Sequence, residues 1–276
     1  MMKKLLKHDL RAVFKYWWIG AVASLALSLL GGCVLSSMTG GPPDRPVFMV
    51  LSGLFLMFLI IGLAIFPLAA MILVYVRYYT NFFTDEGYLT FTLPVKRSQL
   101  FLSKVLTALI TELVTLAVLA IDFGILASVG LSKVIREGSA VVETFSLGFP
   151  LEDMPGIGFI LLYAAEILLI ILIGLLGNIL FIYFCITFGS LVVRKGKIAV
   201  AFGMYYVANS VLTSIIQIFL SFGMIGVSDW LMQLEGAMLY TFIGVIGLIV
   251  MILFAIFAAV FYWLNYWMLD RKLNLS

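Results

Sequence analysis

Six long runs of apolar residues, separated by shorter polar stretches, dominate the pattern along the chain. They cover residues 16–36, 47–76, 101–131, 157–188, 199–224 and 238–267. Each exceeds the roughly 20 residues that an α-helix needs to cross a hydrocarbon core about 30 Å thick. The backbone must satisfy its own hydrogen bonds in lipid, and the alternation typical of a barrel strand is absent, so these runs predict membrane-spanning helices. The predicted fold class is an all-α integral membrane protein with one transmembrane domain over residues 1–276.

The first fifteen residues have a different pattern. Apolar residues such as Leu6, Leu10 and Phe14 recur at helical spacing, and five basic residues occupy much of the remainder. This pattern is typical of an amphipathic helix that lies along the membrane surface, and it predicts such a helix over 1–15. The alternative is a solvated basic leader that only sets the topology.

The composition agrees with a membrane protein and argues against other classes. Of the 276 residues, 64% are hydrophobic and 11% are charged, whereas soluble domains are nearer half apolar and a quarter charged. A soluble core cannot hide this surplus, so lipid must contact much of it. The net charge of +3 is small and does not indicate a nucleic-acid partner.

Basic residues are concentrated in the segments that would share one side of the membrane. That side holds 14 of the 17 lysines and arginines: Lys3, Lys4, Lys7, Arg11, Lys15, Arg77, Lys96, Arg97, Lys104, Arg194, Lys195, Lys197, Arg271 and Lys272. Lysine and arginine are enriched in the cytoplasmic loops of membrane proteins. Both termini and the segment 77–100 are therefore predicted to be cytoplasmic, and the loop 132–156 extracellular.

Three carboxylates fall inside the predicted spans, where each costs about 3 kcal/mol on insertion scales and needs a partner or water. Glu112 could reach basic residues at the inner side, including Lys104; we interpret it as structural, and a place in the translocation path is the alternative. Asp122 and Glu166 fall toward the outer half of the membrane. They either line a translocation path or gate, or they form interhelical hydrogen bonds with one or both carboxyls protonated.

Motifs for chemistry on this chain are absent from its sequence. There is no Gly-x-x-x-x-Gly-Lys-Ser/Thr stretch for a nucleotide, and no Gly-x-Ser-x-Gly or His-Glu-x-x-His pattern. His8 is the sole histidine, which argues against a histidine-based metal site. We therefore predict no catalytic residue, no metal site and no cofactor bound by this chain.

Acidic, glycine, proline and basic residues gather between the second and third apolar runs. Residues 83–104 read FTDEGYLTFTLPVKRSQLFLSK. The pattern predicts a short amphipathic piece over 81–93 that Pro94 ends, because proline disfavours helical geometry in the preceding residue. An apolar face for a partner protein would come from Phe82, Phe83, Leu89 and Phe91, with Asp85 and Glu86 to fix the register. The alternative is an ordinary cytoplasmic loop.

This stretch resembles the cytoplasmic coupling segment of ABC-2 type export permeases. The family pattern is an acidic residue and glycine, a leucine-rich turn, a proline, a basic residue, and a lysine that opens the third span. The matching residues are Glu86, Gly87, Leu89, Leu93, Pro94, Arg97 and Lys104. Tyr88 departs from it, since a small hydroxyl residue is frequent there. The layout of six spans and a surface helix extends the resemblance over nearly the full chain.

The resemblance implies a function that the residues alone do not. The chain would be the bacterial plasma-membrane subunit of an ATP-driven exporter, with ATP and Mg²⁺ bound by a separate ABC ATPase subunit. The coupling segment would dock in that ATPase, and a second permease copy (homodimer favoured) or a related permease would complete the transporter. An amphipathic peptide or lipophilic drug is the expected cargo. The alternative function is an ion- or proton-coupled carrier that uses Asp122 and Glu166 as its relay.

Overall fold

The structure is a computed structural model that describes residues 2–39, 46–84, 87, 96–130, 157–193, 196–231 and 237–271. Over these ranges the chain forms six helices and no strand, which confirms the all-α prediction for the described residues. The helices are α1 (Met2–Thr39), α2 (Pro46–Phe83), α3 (Arg97–Gly130), α4 (Ile157–Val192), α5 (Lys197–Leu231) and α6 (Ala237–Arg271).

All six helices are long and apolar enough to cross a membrane, as the hydropathy pattern predicted. Large apolar side chains cover their outward faces; Phe58 on α2 is 72% exposed and Phe202 on α5 is 70% exposed. Such contiguous apolar surface is costly in water and matches a hydrocarbon solvent. The chain is therefore a multi-pass membrane protein.

Two helices extend past the boundaries that the pattern predicted. The structure has one unbroken helix α1 where the pattern predicted a surface helix over 1–15 and a separate span from 16. No proline precedes Pro42 and Gly20 is the first glycine, so nothing in the backbone chemistry interrupts the helix earlier. Likewise α2 continues to Phe83 rather than ending near 76, because its last turn packs inside the protein, where Phe82 is buried.

The described chain divides into two compact units, and the first consists of Met1–Arg77 and Leu106–Glu152. Its core joins Trp17 and Ala21 of α1 to Phe66 and Ala70 of α2, with Phe14, Val114, Val118 and Leu119 packed around them. The indole Nε1–H of Trp17 donates to Thr115 Oγ1 of α3 at 2.8 Å. Aromatic packing and one buried hydrogen bond thus hold three helices together.

Within this unit α1 and α3 run parallel, along what we call the α1–α3 seam. Its contacts advance together along both helices: Trp17 bonds to Thr115, Gly31 lies against Leu126, and Gly32 lies against Val129. Glycine lets the two backbones approach closely, as is common where membrane helices pack.

The second unit consists of Tyr78–Val105 and Asp153–Ser276, and its main packing is between α4 and α6, which are parallel. Phe181 of α4 contacts Phe257 and Phe261 of α6 at ring-centroid distances of 5.8 and 5.0 Å. The end of α4 and the start of α5 approach closely, because Gly189 leaves room for the backbone of Ala201. Gly196 precedes α5 with φ of 77°, a conformation that favours glycine.

We predict that Gly32→Ala destabilises the first unit. A Cβ at Gly32 would lie 2.8 Å from Cβ of Val129, so α1 and α3 would have to separate. Overpacking of this kind costs about 1–3 kcal/mol in the free energy of unfolding. The measurement is denaturant or thermal unfolding of the purified protein in detergent.

Gly124→Ala on α3 is the matched control, because a Cβ there meets nothing within 4 Å. It should be neutral or slightly stabilising, since alanine favours a helix. Equal stability of the two variants would contradict the close packing at Gly32.

Candidate functional site

A buried chain of polar side chains in the second unit joins three helices. The hydroxyls of Tyr78 (α2) and Thr187 (α4) are 2.9 Å apart, and Thr187 donates to Asn265 Oδ1 of α6 at 3.4 Å. All three residues are at most 1% exposed. Tyr78 must be the donor to Thr187, because the Thr187 hydrogen is committed to an oxygen that can only accept.

Asn265 is the centre of this chain. Its Nδ2 donates both hydrogens to backbone carbonyls, to Leu180 O on α4 at 2.9 Å and to Phe261 O on its own helix at 2.8 Å. With Thr187 at Oδ1, each polar atom of the amide has a partner. A fully buried amide would otherwise be costly, so α4 and α6 are locked in one register here.

Aromatic rings surround the polar chain at the same place. Tyr78 and Tyr183 stack with centroids 3.8 Å apart and an interplanar angle of 9°. The Tyr183 hydroxyl donates to the backbone oxygen of Lys104 on α3 at 3.3 Å. Phe101 of α3 contacts both tyrosines edge to face, at 6.5 and 6.3 Å. The last turn of α2 and the first turns of α3 are therefore both bound to α4.

Arg97, the first residue of α3, is bound to the end of α6. Its Nη1 donates to the backbone oxygen of Asp270 at 2.8 Å and, more weakly, to that of Leu269 at 3.4 Å. These carbonyls belong to the last turn of α6, where no intrahelical donor remains. The ion pair with Asp270 Oδ1 at 3.6 Å is half exposed and adds little. The hydrogen bonds to the two carbonyls are therefore the main link between Arg97 and α6.

Gly87 lies four residues after Phe83, the last residue of α2, and is buried. Its N–H donates to Thr84 O at 2.8 Å. A Cβ at this position would lie 2.8 Å from the backbone oxygen of Phe82, a contact that no side-chain movement relieves. A glycine is thus required at this position of the predicted coupling segment, because the backbone of residue 87 lies close to the backbone of Phe82.

The predicted coupling residues differ in their burial, and several of them lie outside the described part of the chain. Phe82 is buried at 1% exposure and belongs to the core of the second unit, so its ring is not part of an exposed docking face. Phe83 is half-buried, while Lys104 is buried. Asp85, Glu86, Tyr88, Leu89, Phe91 and Pro94 lie outside the described residues.

The three predicted intramembrane carboxylates occupy different environments. Asp122 in the first unit is fully buried, and Glu112 on the same helix is half-buried. Glu166 in the second unit lies against α6, where a Cβ at Gly247 would be 2.9 Å from its carboxyl carbon. Asp122 and Glu166 belong to separate units.

Sequence reasoning missed the core of this site. Among the other amide side chains within the apolar runs, Asn178 accepts from Tyr205 at 3.4 Å, while Asn209 and Gln217 are exposed. Asn265 was the available signal, since it is a strongly polar residue within the last apolar run. Its partners are too distant in sequence to be inferred from spacing.

No family model, no curated protein and no solved structure matches this chain. Among the described residues there is also no group of three histidines, cysteines, aspartates or glutamates that could hold a metal ion. A functional assignment must therefore come from the sequence of the segment 84–96 and from the contacts that hold the helices on its two sides.

We predict that Asn265→Leu lowers the free energy of unfolding by about 1–3 kcal/mol, because Thr187 and the Leu180 carbonyl lose a buried partner. Leucine is apolar and of similar size, so the loss reports hydrogen bonding rather than a cavity. Unfolding of the purified protein in detergent measures it. The matched control is Asn209→Leu on the exposed part of α5, expected to change stability by less than about 0.5 kcal/mol. Equal effects would contradict the assigned network.

Proposed function

We propose that this chain is the membrane-spanning subunit of an ATP-driven exporter of the ABC-2 permease type. The proposal combines the sequence resemblance over 83–104 with one structural observation. The helices on both sides of residues 84–96 are held in the second unit: Tyr78 near the end of α2 is bound to α4, and Arg97 at the start of α3 is bound to the last turn of α6. A segment that receives force from another protein needs stiff attachments of this kind.

The anchoring suggests how a displacement would be transmitted. A push on residues 84–96 acts on the last turn of α2, which is bound to α4 through the Tyr78–Thr187 hydrogen bond and the Tyr78–Tyr183 stack. The same push acts through Arg97 on the end of α6. Because α4 and α6 are locked together by Asn265, they would move as one body. Two discrete packings of such a body are what an alternating-access transporter requires.

The remaining parts of the proposal come from the sequence. Both termini and the coupling segment lie in the cytoplasm of a bacterium, on the side with 14 of the 17 basic residues, and the basic first turns of α1 lie at the membrane surface. The partner is a separate ABC ATPase that binds ATP and Mg²⁺, and a second permease copy completes the transporter. An amphipathic peptide or lipophilic drug is the proposed cargo, because 23 phenylalanines and 13 methionines suit apolar ligands.

The first test is purification of the tagged protein from native membranes in mild detergent, with mass spectrometry of the proteins that accompany it. We expect a stoichiometric P-loop ATPase with the wild type and at least a severalfold loss with Glu86→Ala, because a register-fixing charge is removed. Glu143→Ala is the matched control, since Glu143 falls in the predicted extracellular loop. It should retain the ATPase.

Absence of any ATPase from a wild-type preparation that keeps its native oligomeric state would overturn the proposal and favour the ion- or proton-coupled carrier. The two functions also differ in transport assays. Export by the proposed machine stops on ATP depletion and survives an uncoupler, whereas a proton-coupled carrier behaves in the opposite way. The carrier reading further predicts loss of transport in Asp122→Asn with retention in Glu86→Ala.

We also predict that Gly87→Ala uncouples the transporter without unfolding it. The added Cβ conflicts with the Phe82 backbone, so the start of the coupling segment must change its path. Membrane insertion and thermal stability should stay close to wild type, while transport-dependent ATP hydrolysis in proteoliposomes falls. Gly53→Ala is the control, because a Cβ there meets nothing within 4 Å. Normal coupled hydrolysis in Gly87→Ala would contradict a role for this turn.

A further inference from the structure

The exposed face of α1 carries a stripe of side chains that changes from basic to aromatic to aliphatic along the helix. Successive members are three, four or seven residues apart, so they lie on one side of an α-helix. Every member is exposed to the surroundings of the protein. The α1 stripe, as we call it, consists of Lys4, Lys7, Arg11, Lys15, Trp18, Val22 and Leu29.

The opposite face of α1 determines which way the stripe points. Asp9, Val13 and Trp17 are buried on that face, and the indole of Trp17 is bonded to Thr115 of α3. The stripe is therefore turned away from the core of the first unit. Asp9 is also the only acidic residue of α1. The basic residues of the stripe thus have no acidic neighbour on their own face of the helix.

The position of Trp18 marks one edge of the hydrocarbon. Residues 18–38 contain no charged side chain, and a helix of this length is about 32 Å long, close to the roughly 30 Å of a hydrocarbon core. Exposed tryptophan is typical of that boundary. Along the axis, Lys15 lies about 4.5 Å and Arg11 about 10.5 Å beyond Trp18. Since the headgroup layer is about 5–8 Å thick and arginine is long, both residues can reach it.

The two basic residues nearest the hydrocarbon have the chemistry of a phosphate site. The guanidinium of Arg11 can donate two parallel hydrogen bonds to phosphate oxygens, and the ammonium of Lys15 adds a second positive charge. Lys15 Nζ lies 5.5 Å from the centroid of the exposed Tyr16 ring. An aromatic ring with a polar hydroxyl therefore lies beside the cation at the level where headgroups meet acyl chains.

The aliphatic part of the stripe favours a lipid over an acidic protein as the ligand. From Trp18 to Leu29 the exposed apolar stretch is about 16 Å long, close to the roughly 15 Å of hydrocarbon in one leaflet. A phospholipid contains a phosphate, ester carbonyls and acyl chains in the same order as the stripe. An acidic protein segment would match the cations alone.

We propose that Arg11 and Lys15 bind the phosphate of one anionic phospholipid, whose acyl chains lie along Trp18, Val22 and Leu29. The lipid belongs to the leaflet at the amino-terminal end of α1. A net negative headgroup is preferred, because a zwitterionic lipid adds a cation of its own beside Arg11 and Lys15. The site does not rest on the proposed exporter function, since it requires only that α1 crosses a membrane.

The other basic residues of the stripe lie too far from the hydrocarbon to share this lipid. Lys7 and Lys4 are about 12 and 16 Å from Lys15 along the helix axis. A headgroup whose chains contact Trp18 cannot extend to them. Lys4 and Lys7 therefore provide an internal comparison, because they carry the same charge on the same face.

The test is native mass spectrometry of the delipidated full chain, titrated with phosphatidylglycerol or with phosphatidylcholine of the same acyl chains. We expect the wild type to bind one phosphatidylglycerol more tightly than phosphatidylcholine. Arg11→Gln/Lys15→Gln should weaken phosphatidylglycerol binding at least about fivefold, because two cations near the headgroup are removed. The matched control Lys4→Gln/Lys7→Gln should weaken it less than about twofold.

A second measurement uses the wild-type charges and nanodiscs that contain a small fraction of lipid with brominated acyl chains. Brominated phosphatidylglycerol should quench tryptophan fluorescence more than brominated phosphatidylcholine does, and Trp18→Phe should abolish this difference. This experiment decides the matter if Arg11→Gln/Lys15→Gln fails to fold.

Equal affinity of the wild type for the two lipids, or equal quenching by them, would overturn the proposal. Equal losses from the two double variants would also reject it, because the charge of the whole helix rather than one site would then attract the lipid. Loss of an acidic companion protein from Arg11→Gln/Lys15→Gln, with no lipid preference in the wild type, would assign the stripe to a protein partner. ATPase association in Glu86→Ala, which tests the proposed function, is a separate readout.

Discussion

Hydrocarbon offers no hydrogen-bond partners, and this constraint governs the structure at each level. It makes every apolar run a helix, because only a helix satisfies its own backbone. It also governs the side chains within those helices. A buried polar group needs a hydrogen-bond partner inside the protein, and an ionisable group without one is costly to keep charged. Asn265 has such partners: it makes two hydrogen bonds to residues of α4 and one to a residue of α6, its own helix. The Asp122 carboxylate and one carboxylate oxygen of Glu166 are buried without a hydrogen-bond partner among the described residues.

The parts of the structure that sequence could predict are those set by local properties. The existence of six membrane-spanning helices follows from the length of each apolar run, which needs no knowledge of the fold. The boundaries were harder because charge does not end a helix. Residues 2–15 carry a basic pattern that indicates a surface segment, yet the backbone continues through it into α1. At the carboxyl end of α2, packing of Tyr78 and Phe82 extends the helix past the end of its apolar run.

The buried site could not be derived from spacing, because its contacts are long-range. Tyr78 and Thr187 are 109 residues apart, and Thr187 and Asn265 are 78 residues apart. A tyrosine at the end of a span indicates a membrane interface as readily as a core, and only the fold distinguishes them. Gly87 is an intermediate case. The motif pointed to a glycine there, and the structure adds the steric reason, which is the nearby Phe82 carbonyl. The motif and the packing thus agree on one residue for different reasons.

The attachment of Arg97 to the last carbonyls of α6 has a practical consequence for protein engineering. A reporter fused directly after Arg271, at the carboxyl terminus of α6, would begin next to the carbonyls that hold Arg97 of α3. A reporter joined there by a rigid helical linker would load Arg97 and, through it, one end of the loop between α2 and α3. A glycine- and serine-rich linker would decouple the reporter mechanically, because such chains behave as flexible coils. The choice of linker at this terminus is therefore part of the design of any assay on this protein.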